Sequence, residues 1–268
     1  MKSLLAILLL VSMNAMSQSQ AGVVLNGKDR SPVPFAKIGI MGKGIGTIAD
    51  ENGRFTLVVD KKYGKDKIRF SCIGYSSYDI SVADYKHMDN KTILLQQRPA
   101  DTATMKQPTA NAKVKTYGSF GTNDNIEING GLPGSEVGVV FNFKESSLLD
   151  KLMVKIQSNS VDTLLYRVNV YNVIGDGKFE LMLKKPIYYK SASGDLVDKT
   201  ITIDLSNDNV LVKGSKLITI EQLKNFGNGD LKFSGIKNGK SYARKASFAV
   251  WKVIPTTLSM KVEAIPAK

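Results

Sequence analysis

Side chains able to do chemistry are scarce in these 268 residues: His87 is the only histidine and Cys72 the only cysteine. One imidazole excludes every catalytic design that needs two, and a zinc peptidase site takes about three protein ligands plus an open position. One cysteine forms no internal disulfide and no cysteine-based zinc site, so stability must come from packed apolar surface. His87 stands in Tyr85-Lys86-His87-Met88-Asp89-Asn90, a polar connection between two strands, and is expected at the surface. Cys72 shares parity with Ile68 and Phe70 and is expected to point inward as a small core residue. Gly42-Lys43-Gly44-Ile45-Gly46-Thr47 matches neither a P-loop nor a dinucleotide fingerprint and reads as a turn or bulge. Asp50-Glu51-Asn52 lacks the further carboxylates of a calcium loop and reads, with Gly53, as a tight hairpin. No nucleophile–base pair, no glycosidase carboxylate pair, no metal site and no cofactor site emerges from these residues.

The remaining candidates are recognition residues. A ring face packs on a sugar face, so Tyr188, Tyr189, Tyr242 and Trp251 are candidate ligand contacts, with Tyr188, Tyr189 and Trp251 the principal three. One tyrosine of the 188–189 pair should point outward, while parity leaves the face of Trp251 undecided; a sandwich normally buries its only tryptophan. Asp101-Thr102-Ala103 makes Thr102 a candidate O-glycosylation site, a three-residue pattern that Asp162-Thr163-Leu164 also fits.

The elements that must position these residues are strands. Before them, Lys2, the apolar run Leu4 to Val11 and Ala15-Met16-Ser17 have the layout of a secretory signal peptide, with cleavage between Ser17 and Gln18. That run is shorter than the roughly 20 residues of a spanning helix, and no later stretch qualifies. The net charge is +13, or +12 without Lys2, and it is spread out in pairs such as Lys61-Lys62 and Lys184-Lys185. Such dispersal fits solvated strand faces and excludes the concentrated basic stripe of a nucleic-acid binder. From residue 20 to 97 the apolar period is two, in about seven short runs broken by turn chemistry such as Asn26-Gly27 and Tyr63-Gly64-Lys65-Asp66.

The ordered series Gly22-Val23-Val24, Pro34-Phe35-Ala36-Lys37-Ile38, Gly46 to Phe55 and Phe70-Ser71-Cys72-Ile73-Gly74-Tyr75 resembles the carboxypeptidase-regulatory-like domain. The resemblance covers roughly 75 residues. It implies a transthyretin-like seven-stranded β-sandwich over residues 18–97, of a kind common in exported proteins of the Bacteroidetes. It implies no peptidase activity, since this domain accompanies metallocarboxypeptidases and carries none of their catalytic residues. Residues 98–135, rich in Pro, Thr, Ala, Gln and Lys near their start, read as a linker or strand-poor bridge. Residues 136–268 resume the alternation, with Val154, Ile156, Val168 and Val170 between Lys155, Arg167 and Asn169, as in strands buried on one face. Eight or more such strands point to a jelly-roll-like sandwich of two sheets. A looser likeness, through Tyr166 to Tyr171, Ile203-Asp204-Leu205, Gly239 to Arg244 and Trp251, joins it to uncharacterised Bacteroidetes proteins with the same first domain.

The sequence therefore leads to an all-β, exported, non-enzymatic accessory protein of the cell envelope that binds a protein or ligand. Its partners would be an envelope protein or a glycan, in the periplasm, at the outer membrane or on the cell surface. The alternative is a carbohydrate-binding module using the C-terminal aromatics.

Overall fold

The computed structural model describes residues 18–99, 106–127, 132–226 and 229–267. The expected signal peptide, Ser17 and Thr102 lie outside these residues, and Gln18 opens the first strand. No helix among the described residues is long and apolar enough to cross a membrane.

The first seven strands are β1 (Gln18–Asn26), β2 (Lys37–Ile40), β3 (Ile45–Ile48), β4 (Arg54–Val59), β5 (Lys67–Ser71), β6 (Tyr78–Ser81) and β7 (Thr92–Leu95). They form two sheets, β4-β1-β7 and β3-β2-β5-β6, with β1 and β7 parallel. In β4 the alternation Arg54-Phe55-Thr56-Leu57-Val58-Val59 sends Phe55, Leu57 and Val59 inward and the other three out, as a half-buried strand requires. Those side chains meet Ile38, Ile40, Ile68, Phe70 and Cys72 from the opposing sheet, giving the seven-stranded sandwich and an inward Cys72.

Two local expectations change. Asp50-Glu51-Asn52-Gly53 is not a hairpin, because β3 and β4 belong to different sheets and the turn carries the chain across the sandwich. Asp50 organises it: its Oδ1 accepts from the Asn52 and Arg54 amides, each at 2.8 Å, and Gly53 takes a φ of 72° open to glycine. The connection carrying His87 is a short helix, α1 (Val82–His87), rather than a polar loop. Ser81 caps it by accepting from the Asp84 amide at 2.9 Å, and Val82 and Tyr85, three residues apart, share its inward face. Tyr85 packs on Phe70 with ring centroids 5.8 Å apart and donates to the Ala21 carbonyl at 3.1 Å, leaving His87 exposed.

The second body contains β8 (Lys115–Ser119), β9 (Asp124–Glu127), β10 (Glu136–Asn159), β11 (Thr163–Gly175), β12 (Lys178–Leu181) and β13 (Ile187–Ala192). It continues with β14 (Thr200–Asp204), β15 (Leu211–Gln222), β16 (Leu231–Arg244), β17 (Lys252–Leu258) and β18 (Met260–Pro266). Residues 98–135 are thus more than a strand-poor bridge: β8 pairs with β18 and β9 with β16. Composition hides both, because they are short and mostly exposed, with Ile126 alone buried.

The two layers expected as separate sheets are one continuous sheet of eleven strands. The 24-residue β10 runs from one layer into the other, pairing with β15 in its first half and with β14 and β18 in its second. Register shifts between Phe143 and Ser147 and between Leu149 and Lys151 bend it, as bulges do where strands turn a corner. β16 makes the same passage, meeting the start of β10 through Tyr242–Arg244 and its end through Leu231–Phe233. Phe143, Leu149, Leu152, Tyr166, Val168, Ile218, Ile220 and Phe233 fill the enclosed core.

Candidate functional site

The two bodies are packed against each other. Phe35 and Ile48 of the first form a buried cluster with Leu165 and Leu223 of the second. The loop after β16 lies on the β2–β3 hairpin, where the Gly42 amide donates to the Phe248 carbonyl at 2.9 Å. Gly46 permits this approach, since a Cβ there would sit 2.4 Å from the Ser247 carbonyl oxygen.

Beside this contact runs a buried row of charges. Strands β11, β15, β10 and β16 are neighbours, and their register sets Arg167 opposite Glu221, Glu221 opposite Glu136, and Glu136 opposite Arg244. Two glutamates directly opposite one another are unfavourable unless cations stand close to both. Each carboxylate has its own arginine: Arg167 donates to Glu221 Oε2 through Nε at 3.0 Å and Nη2 at 2.7 Å, and Arg244 Nε donates to Glu136 Oε2 at 2.7 Å. Asn169 Nδ2 bridges the pair, 2.8 Å from Glu136 Oε1 and 2.9 Å from Glu221 Oε2. Tyr171 and Thr219 hydroxyls also donate to Glu136.

The first body closes this row. Lys37 on β2 points its ammonium at the second body, 2.9 Å from Glu221 Oε2 and 3.9 Å from Glu136 Oε2. The Phe35 carbonyl accepts from Arg167 Nη1 at 2.9 Å. Burial pulls the Lys37 ammonium down to about 8 against the opposing pull of Glu221, with Arg244 adding to the fall. Burial alone would raise the Glu221 carboxyl, but Arg167, Lys37 and Arg244 outweigh it and hold the group at about 2. Three cations therefore face two carboxylates in a space almost closed to water. Two buried acceptors here, Glu221 Oε1 and Asn169 Oδ1, have no hydrogen-bond partner.

One end of the row opens into a cleft of about 390 Å³ between the bodies. Lys37, Arg98 and Arg167 line it, with the hydroxyl-bearing Ser71, Tyr75, Ser76 and Ser77. Cys72, Ile73, Leu181 and Leu183 supply its apolar wall. Burial pushes the Cys72 thiol above its ordinary range. Such a wall with a few convergent polar groups is the usual make-up of a ligand site. Its donors suit an acceptor-rich ligand.

The expected recognition residues fall in different surroundings. Tyr188, 37 % exposed, leans on Phe35 with centroids 5.0 Å apart at the seam, and burial of its hydroxyl pushes it up to about 12. Tyr189, its neighbour on β13, packs against the second core. Trp251 is half-buried in a separate aromatic cluster, edge-on to Tyr171 and Phe179, with the Arg244 guanidinium 4.6 Å from its ring centre. Tyr242 belongs to that same cluster. His87 is on the surface of the first body, and among the described residues no group of three or more His, Cys, Asp or Glu is arranged to hold a metal.

Sequence alternation missed the charged row because Arg167 and Asn169 look like the solvent side of β11. That strand is buried on both faces, since the side opposite the core is covered by Phe35 and Lys37 of the first body at Arg167 and by the Arg244 and Trp251 side chains at Tyr171. A usable signal was present in the choice of cation. After residue 97 there are three arginines among 24 basic residues, namely Arg98, Arg167 and Arg244, and all three lie at the row or its cleft. Arginine suits buried, multiply hydrogen-bonded sites better than lysine does.

Residues 20–107, about a third of the chain, match the family model described as the CarboxypepD_reg-like domain. No curated protein matches the chain. A solved structure described as "Structure of infectious bursal disease virus Gt strain" is 13% identical, with a TM-score of 0.15. The match covers 93% of this chain and 65% of that one, and at that score it carries no argument about fold. The structure extends the first body past residue 97, through the Arg98 amide bonded to the Gly74 carbonyl at 2.8 Å. Residues 20–107 therefore match the carboxypeptidase-regulatory-like domain, and the described part of that stretch is a β-sandwich that packs on a second β-body.

Proposed function

We propose that the chain is an exported, non-enzymatic accessory of the cell envelope, which binds a partner or ligand at the seam between its two β-bodies. The observation that carries this reading is the buried row Arg167–Glu221–Glu136–Arg244, closed by Lys37 from the other body and open at one end to a donor-lined cleft. Burying five charged groups costs stability, and replacing such groups with apolar ones often gains it, so their use here favours a recognition role. The regulatory-like nature of residues 20–107 and the export pattern of residues 1–17 support the same reading. The test is retention of envelope proteins or glycans from the native host on the immobilised chain, compared with an Arg98→Ala chain altered at the cleft mouth. Retention that falls with the variant supports the reading; absence of any retained protein or glycan refutes it.

Glycan recognition through aromatics is a second reading, and Tyr188 carries it, being the exposed ring beside the cleft residue Arg167. Trp251 fits it less well, with Arg244 already over its face. Glycan retention should drop on Tyr188→Ala and survive Trp251→Phe; loss on the second change alone would reverse that assignment.

A further inference from the structure

We propose that the seam cleft binds a small oxyanion, a carboxylate or a phosphate group, borne on a hydroxylated ligand. This rests on the binding reading above and names the chemistry of what the cleft takes.

Lys37 comes from β2, Arg98 from the segment after β7, and Arg167 from β11, so cations converge on one space from three elements. Among the described residues no carboxylate lines that space. The charge count behind the wall has the same sign. Glu221 and Glu136 answer two of the three buried cations, and the cleft is where a third negative charge would complete the balance.

Donors remain for it. A guanidinium has five N–H groups and an ammonium three. Arg167 directs two at Glu221, one at the Phe35 carbonyl and one at the Tyr188 hydroxyl, which leaves one, and Lys37 has Glu221 as its near neighbour. Ser71, Ser76, Ser77 and Tyr75 add hydroxyls that suit the alcohol groups of a sugar acid or sugar phosphate. The apolar wall of Cys72, Ile73, Leu181 and Leu183 lowers the local dielectric, which strengthens each charged contact. The mouth is held in place: Tyr75 bridges Gln97, and the Arg98 amide is tied to Gly74. A site fixed before binding loses less entropy when it is filled. The larger groove on the other side of the seam makes no such selection. It mixes Asp50, Glu51 and Asp89 with Arg54, Lys91 and Lys190.

The experiment is isothermal titration of the chain from residue 18 onward with sodium phosphate, sodium glucuronate and glucose, at fixed chloride. One or both anions should bind with a dissociation constant of about 1 mM or tighter, and glucose should not bind. Phosphate alone or glucuronate alone identifies the group preferred. Arg98 is exposed, so Arg98→Ala should fold normally and weaken the anion about tenfold, the worth of one charge-assisted hydrogen bond, with Arg98→Lys restoring part of the loss. Ser76→Ala is a second exposed change with a smaller loss expected. Binding of neither anion, or unchanged binding by Arg98→Ala, overturns the inference. If neither anion binds while the chain still retains an envelope protein or neutral glycan, the oxyanion inference falls and the binding reading stands. If nothing is retained either, both fall.

Discussion

Glu221 and Lys37 touch each other, yet removing one should cost far more than removing the other. Glu221 Oε2 receives two bonds from Arg167, one from Asn169, and lies 2.9 Å from Lys37. In Glu221→Gln both cations stay buried, and the nearest remaining carboxylate is 3.9 Å from Lys37. Breaking a buried pair from one side costs about 3–5 kcal/mol, because an uncompensated charge is left behind. Lys37→Met instead leaves Arg167 with Glu221 and Arg244 with Glu136, two matched pairs. Its lost contact is offset by the burial penalty it relieves, so the net cost should be under about 1 kcal/mol. The double change should recover part of the Glu221→Gln loss, a coupling of about 1–3 kcal/mol. Urea unfolding followed by the fluorescence of Trp251, the only tryptophan and a neighbour of Arg244, measures all three. For a chain of this size about 2–4 °C in Tm accompanies each kcal/mol, so Glu221→Gln should melt on the order of 10 °C lower. Equal or greater loss in Lys37→Met would refute the count of three cations against two anions.

The same lysine gives a pH dependence. Its folded value of about 8 lies below its ordinary 10.5, so the unfolded chain holds the proton more tightly and stability rises as pH climbs from 8 to 10.5. The gain is roughly 3 kcal/mol at most and should be absent in Lys37→Met; an identical profile in that variant would contradict it. Gly46→Val places a side chain against the Ser247 carbonyl and should cost about 1–3 kcal/mol, whereas an unchanged urea midpoint would mean the hairpin and loop are not in contact. Cys72 is 9 % exposed with its thiol raised by burial, so a disulfide reagent should label it at least about tenfold more slowly in buffer than in urea; equal rates would mean an open seam.

Much of the first body was legible because its strands alternate cleanly, as in β4, and because Cys72 keeps the parity of Ile68 and Phe70. Helix α1 was hidden by its length of six residues, too short for a helical period to register. Strands β8 and β9 were hidden by exposure, since short strands with one buried residue between them have no alternation to read. The charged row was hidden for a different reason. Alternation separates the two faces of β11 but says nothing of what lies on each, and a second body on the outer face turns Arg167 and Asn169 from solvated into buried. Local pattern fixes parity; only tertiary packing fixes burial.

The seam makes one coupled unit of two sandwiches, and hydrogen exchange in the Glu221→Gln chain tests that directly. Coupling through Lys37 and the Phe35 carbonyl predicts faster exchange in the first body as well, at the amides of Lys37–Ile40 and at Gly42, which donates to Phe248. Faster exchange confined to β15 and its neighbours, with the β2–β3 hairpin unchanged, would contradict it.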